Sequence, residues 1–473
     1  VKDQLGGVDH FAALLKKDGP ANALVLGAGP MLFRDPKLAG EQKDQDLIKA
    51  RALADVFASL KFAGWAPGAN DWAGGSELLG DVTKDRLTLF AANIKGGGFS
   101  TGRVFELGGE RIGIVGVTQV TPEGVTPGLQ VDDARAALVA GANWLDAQGA
   151  HIRVALVVAP RGDALRLLDA VPGFHVALLG KPIDHGEAND PPTPPVRIGE
   201  TLVVEAQNHL QSVAVVDLFV RDGKYSFADA SGIDAEEKRL SLLARASDLK
   251  SALARSGISE QDRAARSRDL EAVNAELAEA AKPPALPPGS SFRYELVDVR
   301  ESLGADAATK AELAGYYKSV NEHNREAFKD VLPPPVPAGA SGYVGVDACT
   351  SCHQSEREFW DRTPHHAAYA SLAVQNKQFN LDCVGCHVTG YEAPGGTTVA
   401  HVDKLTDVQC EVCHGPGSRH VGNPADASLI SIPERSFCAG KCHHPPHVHE
   451  DWSVDAAWPV IVGKGHERAA KGG

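Results

Sequence analysis

The sequence predicts a multidomain chain made of an α/β sandwich domain, an α-helical hairpin connector and a mostly α-helical or irregular C-terminal domain. Three observations lead to this. Between Ala23 and about Ala230, short apolar runs bounded by Gly and Pro alternate with helical stretches. From Leu242 to Ala280, apolar residues recur every three or four positions. All eight Cys, and twelve of the 18 His, lie after residue 348. At roughly 100–200 residues per domain, 473 residues allow two to four domains with cores of their own. The expected boundaries are 1–232, 233–340 and 341–473.

In the first domain the strand candidates are Ala23–Leu26, Leu87–Phe90, Arg111–Val115, Arg153–Val158, Val176–Leu179, Thr201–Val204 and Val213–Phe219. Continuous apolar strands of this kind, bounded by Gly and Pro, indicate sheets covered on both faces and hence an α/β layer fold. Helices are expected over Asp46–Lys61 and Ala134–Ala147. In the connector, Leu242, Ala246, Leu249 and Leu253 form one stripe and Leu270, Val273, Leu277 and Ala280 another. Ser256-Gly257 breaks the first helix, and Ser259 with Asp262 starts the second, giving an antiparallel hairpin. A third helix, Ala305 to Phe328, runs into Leu332-Pro-Pro-Pro-Val-Pro337, a stiff spacer. The hairpin seam is one candidate for self-association.

The formal charge is −14, with no Lys/Arg-rich run, which argues against nucleic acid or an anionic membrane as partner. No window is apolar enough, for 18 or more residues, to cross a bilayer. Val1 to Gly7 lacks the regions of a signal peptide.

The Cys residues fall into four close pairs, each followed directly by His. They are Cys349-Thr-Ser-Cys352-His353, Cys383-Val-Gly-Cys386-His387, Cys410-Glu-Val-Cys413-His414 and, with one extra residue, Cys438-Ala-Gly-Lys-Cys442-His443. This is the attachment pattern of haem c: two thiols about one turn apart reach the two vinyl groups, and the adjacent imidazole becomes the proximal iron ligand. Structural zinc does not require His after every pair, and a thioredoxin-like pair occurs once per domain. Four haem c groups are expected. The single Met, Met31, lies far from the motifs, so His/Met ligation serves at most one haem. Distal ligands are then mostly His, or absent, and bis-His ligation without Met implies lower potentials.

The run Tyr343–His466 resembles the tetrahaem cytochrome c-554 family. The likeness rests on the motifs and on Trp360-Asp-Arg-Thr-Pro-His365, Cys386-His-Val-Thr-Gly390-Tyr391 and Val408-Gln-Cys-Glu-Val-Cys-His-Gly-Pro-Gly-Ser-Arg-His420. It implies that His365 ligates the haem held by His414, that His420 ligates the haem held by His353, and that His466 closes the fourth haem. It also implies that the haem held by His387 lacks a protein ligand on its distal side. Local rivals stay open: His366 for His365; His444, His447 or His449 for His466; and His401 for the second haem.

The first 230 residues resemble the metallophosphatase domain of 5′-nucleotidases, through Gly6–Leu15, Phe62-Ala-Gly-Trp-Ala-Pro-Gly68 with Trp72 and Gly75, and Gly108–Thr118. The metal ligands of that family do not carry over. Gly29-Pro30 stands where Gly-Asp is expected, Gly68-Ala69-Asn70-Asp71 replaces Gly-Asn-His-Glu, and Gly180-Lys-Pro-Ile-Asp-His185 replaces Gly-His-x-His. Asp71, Asp184 and His185 are the remaining candidate metal relics, and the domain reads as a scaffold without phosphatase activity.

The chain is thus expected to be an electron-transfer cytochrome of the periplasm or cell exterior, exported with its signal removed before Val1. Redox proteins are the expected partners, in a homo-oligomer or larger electron-transfer complex. The alternatives are a haem enzyme acting on a small nitrogen or sulfur species at a five-coordinate second haem, and a conducting subunit of a complex or filament.

Overall fold

The computed structural model describes residues 5–17, 23–38, 40–84, 86–119, 129–183, 191–253, 259–280, 287–444, 448 and 452–463. Its N-terminal part is built on thirteen strands. They are β1 Val25–Gly29, β2 Phe62–Pro67, β3 Ile94–Lys95, β4 Gly102–Leu107, β5 Glu110–Thr118, β6 Gln130–Val131 and β7 Ile152–Val158, followed by β8 Val176–Gly180, β9 Val196–Ile198, β10 Thr201–Glu205, β11 Ser212–Phe219, β12 Ala228–Asp229 and β13 Ser291–Asp298. The main sheet runs β4-β5-β7-β8-β10-β9, with β5, β7, β8 and β10 parallel and an antiparallel strand at each edge. The apolar run of β7 is buried on both sides, as its composition requires.

One face of this sheet carries α4 Ala134–Ala147 and α5 Arg161–Ala170, whose Leu138, Leu145, Leu167 and Leu168 pack on Val115, Val117, Ala155 and Val157. Asp133 caps α4 by accepting the Ala136 N–H. Gly141 lets the helix approach closely, since a Cβ there would lie 2.6 Å from Val115. The other face meets a second β layer, the parallel pair β1-β2 beside the three-stranded sheet β11-β13-β12. That layer is covered in turn by α1 Val8–Lys17, α2 Lys43–Ser59 and α3 Gly75–Thr83. The result is an α/β/β/α sandwich. The short strands β3 and β6 pair with each other.

The connector starts as expected. Helices α6 Ile233–Leu253 and α7 Glu260–Ala280 close their apolar stripes on one another through Leu242, Ala246, Leu249, Leu270, Val273 and Leu277. Ser259 caps α7 by accepting the Asp262 N–H. The expected break at Ser256-Gly257 lies outside the described residues.

The segment 233–340 is not purely helical, however. Strand β13 returns to the α/β domain and pairs with β11 along its whole length, from Ser212↔Asp298 to Phe219↔Ser291. Its alternation of Phe292, Tyr294 and Leu296 with Arg293 and Glu295 was in the sequence, but its partner lies about eighty positions earlier. The boundary at 232 is therefore crossed by the second sheet.

Helix α8 Ala307–Ala327 follows, capped by Asp306, which also accepts Lys16 Nζ at 2.6 Å, and it packs beside α1 and α2. The Pro-rich segment is docked, not free. The Gly395 N–H donates to Pro334 O at 2.7 Å, and Thr398 Oγ1 donates to Val331 O at 2.7 Å. No helix among the described residues is long and apolar enough to cross a membrane.

Candidate haem-binding site

Short helices carry the Cys-His motifs. Helix α9 Val346–Thr350 bears Cys349 and leads to His353, and α10 Gln354–Trp360 and α11 Ala368–Ala373 follow. The second motif lies in α12 Leu381–His387 and the third in α13 Cys410–His414. After α14 Ser418–Gly422, the fourth begins in α15 Ser436–Lys441, and α16 Val454–Ile461 completes the set.

Positions three and four apart share a helix face, so one turn brings both thiols to the same side. That is why the extra residue of the fourth motif is tolerated: Cys438 and Cys442 are four apart, and Cys438 O accepts the N–H groups of both Cys442 (3.2 Å) and His443 (2.9 Å).

The motifs approach one another in pairs. The interaction of Cys349 with Cys410 lowers the Cys410 pKa and raises that of Cys349. That of Cys442 with Cys386 pulls Cys386 down to about 6 and pushes Cys442 up. Burial raises Cys383 and Cys413 to about 11. None of the eight Cys is paired in a disulfide.

Two imidazole pairs face each other. The rings of His353 and His420 have centres 6.4 Å apart and planes at 30°, and those of His365 and His443 are 6.3 Å apart at 45°. The structure thus brings His420 beside His353, and His365 beside His443 of the fourth motif. The His365 carbonyl accepts the Val408 N–H at 3.1 Å, which holds its backbone beside the third motif while its ring turns to the fourth. Burial, with His443 alongside, lowers the His365 pKa; burial also lowers that of His443. Trp452 stacks flat on His443, with centres 4.7 Å apart. Nδ1 of His420 is buried without a hydrogen-bond partner.

His366, the neighbour of His365, is occupied elsewhere: its Nδ1 donates to Thr363 O at 2.7 Å and its ring meets Trp360 edge-on. His387 Nδ1 donates to Ala368 O and His414 Nδ1 to Ser431 O, both at 2.7 Å, which orients each ring with Nε2 as the nitrogen left for a metal. His401 Nε2 donates to Lys329 O at 2.6 Å. His466, His447 and His449 lie outside the described residues.

Two residues that sequence reasoning passed over organise this region. Glu411, inside the third motif, is buried, and its carboxylate accepts the N–H groups of Val344, Gly345 and Gly417 at 2.7–3.1 Å. Gln409 accepts the Val346 N–H at 2.7 Å. Together they fix the turn before the first motif against the third. Neither has a sequence signal beyond its place beside Cys410.

A second candidate region is the C-terminal edge of the strands β1, β2, β5, β7 and β8, beside a cleft of about 510 Å³ lined in part by Asn93, Thr118, Gln119, Asp133, Arg135 and Pro160. Strand ends here abut: a Cβ on Gly180 would lie 2.2 Å from the Ala28 backbone, and one on Gly68 2.5 Å from Pro30. Asp71 is fully buried, and its carboxylate accepts the N–H groups of Met31 (2.9 Å), Leu32 (2.8 Å), Gly68 (3.1 Å) and the Trp65 indole (3.3 Å). Burial raises its pKa to about 6 against the pull of those donors. Its oxygens are thus committed to pinning the loop after β1. Among the described residues, no group of three His, Cys, Asp or Glu converges as a metal site; Asp184 and His185 lie outside them.

Among solved structures, the chain is similar to a 5′-nucleotidase precursor from Thermus thermophilus, with 19% identity and a TM-score of 0.44 over 70% of this chain and 56% of that one. It is also similar to the NAD nucleotidase of Haemophilus influenzae, with 15% identity and a TM-score of 0.42 over 73% and 59%. Neither likeness bears on activity. Cytochrome c-554 of Nitrosomonas europaea is 34% identical over 102 residues, covering 18% of this chain and 43% of the relative, so less than half of that protein is spanned. Residues 348–415, which hold the first three motifs, match the family described as cytochrome c554 and c-prime. With the Cys-His geometry above, the C-terminal domain of this chain resembles the cytochrome c554 family.

Proposed function

We propose that the protein is an exported tetrahaem cytochrome c that transfers electrons between redox partner proteins. The observation that carries this reading is the pair of opposed imidazoles. With metal–nitrogen distances of about 2.0–2.1 Å, and each nitrogen roughly 1.1 Å from its ring centre, a shared iron sets two rings about 6 Å apart. The centre separations of 6.4 Å and 6.3 Å match that spacing. Iron would also satisfy the orphaned nitrogen of His420.

In this reading His353 and His420 hold the first haem, and His443 and His365 hold the fourth. His387 and His414 are the proximal ligands of the second and third. Cys349, Cys352, Cys383, Cys386, Cys410, Cys413, Cys438 and Cys442 form the thioethers. When bound, the haems supply one-electron carriers whose potentials follow axial ligands, burial and nearby charge. The chain's own residues fix imidazole planes and proton positions through Ala368 O, Ser431 O and Trp452. The α/β domain is read as a scaffold, in line with the committed oxygens of Asp71 and the closed strand ends. Electron paramagnetic resonance of the oxidised protein tests the ligation: at least two low-spin bis-His haems support it, and an all-high-spin spectrum refutes it.

One observation favours a second reading, a haem enzyme for a small nitrogen or sulfur species. Among the described residues no aromatic or imidazole ring stacks on His387, and His401 is held by Lys329. A spectral change of one haem on adding nitric oxide supports that reading, and four unresponsive haems remove it.

A further inference from the structure

Helix α12, which carries Cys383, Cys386 and His387, is capped by residues from outside the haem domain. Gln45 of α2 is fully buried, and its Oε1 accepts the Leu381 N–H at 2.9 Å, the start of the helix. The same oxygen accepts Asn324 Nδ2 of α8 at 2.8 Å, and Asn324 also donates to Phe379 O at 2.8 Å. Gln45 Nε2 donates to Asp382 Oδ2 at 3.2 Å and Gln42 Nε2 to Asp382 Oδ1 at 2.9 Å, while Arg34 Nη1 stands 3.7 Å from Oδ1. Asn380 caps the helix from within by accepting the Asp382 N–H at 2.9 Å.

Asp382 directly precedes Cys383. Among the described residues, no other Cys-His motif has an α/β-domain hydrogen bond at its first turn. The first motif is tied to Glu411 and Gln409 of its own domain, and Arg435 before the fourth pairs with Asp455.

Resting on the haem reading above, we propose that Asp382, held by Gln42, Gln45 and Arg34 of the α/β domain, is a positioning and charge-setting residue for the second haem. A carboxylate beside the thioether stabilises the ferric state and lowers the reduction potential, and a neighbouring guanidinium opposes it. The buried Gln45 amide, whose oxygen accepts from Leu381 and Asn324 and whose nitrogen donates to Asp382 and Asn380, holds one geometry, because leaving such a group unpaired is costly. The domain that carries no haem thereby sets the poise of one haem in the array. Gln45 and Asn324 act through Asp382 and Asn380.

The test is a spectroelectrochemical titration of the full-length holoprotein, with a pyridine haemochrome count on every sample. Asp382→Asn should shift one reduction step to more positive potential, and Arg34→Gln should shift the same step to more negative potential. Arg34 is half exposed, so its replacement leaves the buried amides in place. Asp347→Asn, beside the first motif and largely exposed, should leave that step unmoved. Unchanged steps in both α/β-linked variants at full haem count overturn the proposal, as do shifts of the same sign. A wild-type count below three overturns the underlying haem reading instead.

Discussion

The imidazole of His365 faces that of His443, with ring centres 6.3 Å apart, although 77 residues of sequence separate them. This couples the segment after the first Cys-His motif to the fourth motif. His365→Ala should therefore convert one low-spin haem to high spin. In a background with Cys438 and Cys442 replaced by Ala, the same change should add no further high-spin signal, whereas His420→Ala still should. Electron paramagnetic resonance reads both, and a new high-spin haem from His365→Ala in the fourth-haem-free background contradicts the pairing.

The motifs themselves were legible, because Cys spacing and the adjoining His are local. The pairing of the His365 ring with His443 was not. A turn at Pro364–Ala367 places the His365 backbone beside Val408, as the family resemblance implied, yet the direction of its side chain depends on where the fourth motif packs. Strand β13 failed for a related reason: its two-residue alternation is visible, but its ladder with β11 spans the whole hairpin. Strands β5, β7, β8, β10 and β11 were readable because each is a largely apolar run, whereas the short β6 and β9, with Gln130 and Arg197, were not. Strand β2 was read only as a Gly-containing motif, and it pairs with β1 through a register irregularity.

Asp71 gives a pH-dependent prediction. Its folded pKa, about 6, lies above the ordinary 3.8, so its contribution is fully present below 3.8 and is lost as pH rises through 6. At about 1.4 kcal/mol per unit, the loss is roughly 3 kcal/mol. Asp71→Asn should remove that slope. The amide N–H groups would also face the Gly68 N–H and the Trp65 indole, and with the slope gone the variant should be destabilised at pH 4 by about 3 kcal/mol more than at pH 8. Urea unfolding of the holoprotein at pH 4 and pH 8 measures both, and an unchanged slope contradicts this account.

The abutting strand ends give a steric prediction. Gly180→Ala should cost roughly 1–3 kcal/mol, since its Cβ would fall 2.2 Å from Ala28 and backbone cannot yield as a flexible side chain does. Gly80→Ala, in α3 with no atom within 4 Å of the new Cβ, should instead stabilise by about 0.5–1 kcal/mol. Thermal unfolding should move in opposite directions for the two variants. Equal effects would contradict the closed edge.

The hairpin α6–α7 buries Val273 in its own seam. Val273→Asp should unfold it locally, seen as lost far-ultraviolet helical signal, while the Soret spectrum stays unchanged. A Soret change would mean that the hairpin supports the haem domain.

The central claim is four haems held by the four Cys-His motifs, and a pyridine haemochrome assay on the purified holoprotein, normalised to protein by amino-acid analysis, tests it most directly. The account predicts four haem c per chain; fewer than three would contradict it.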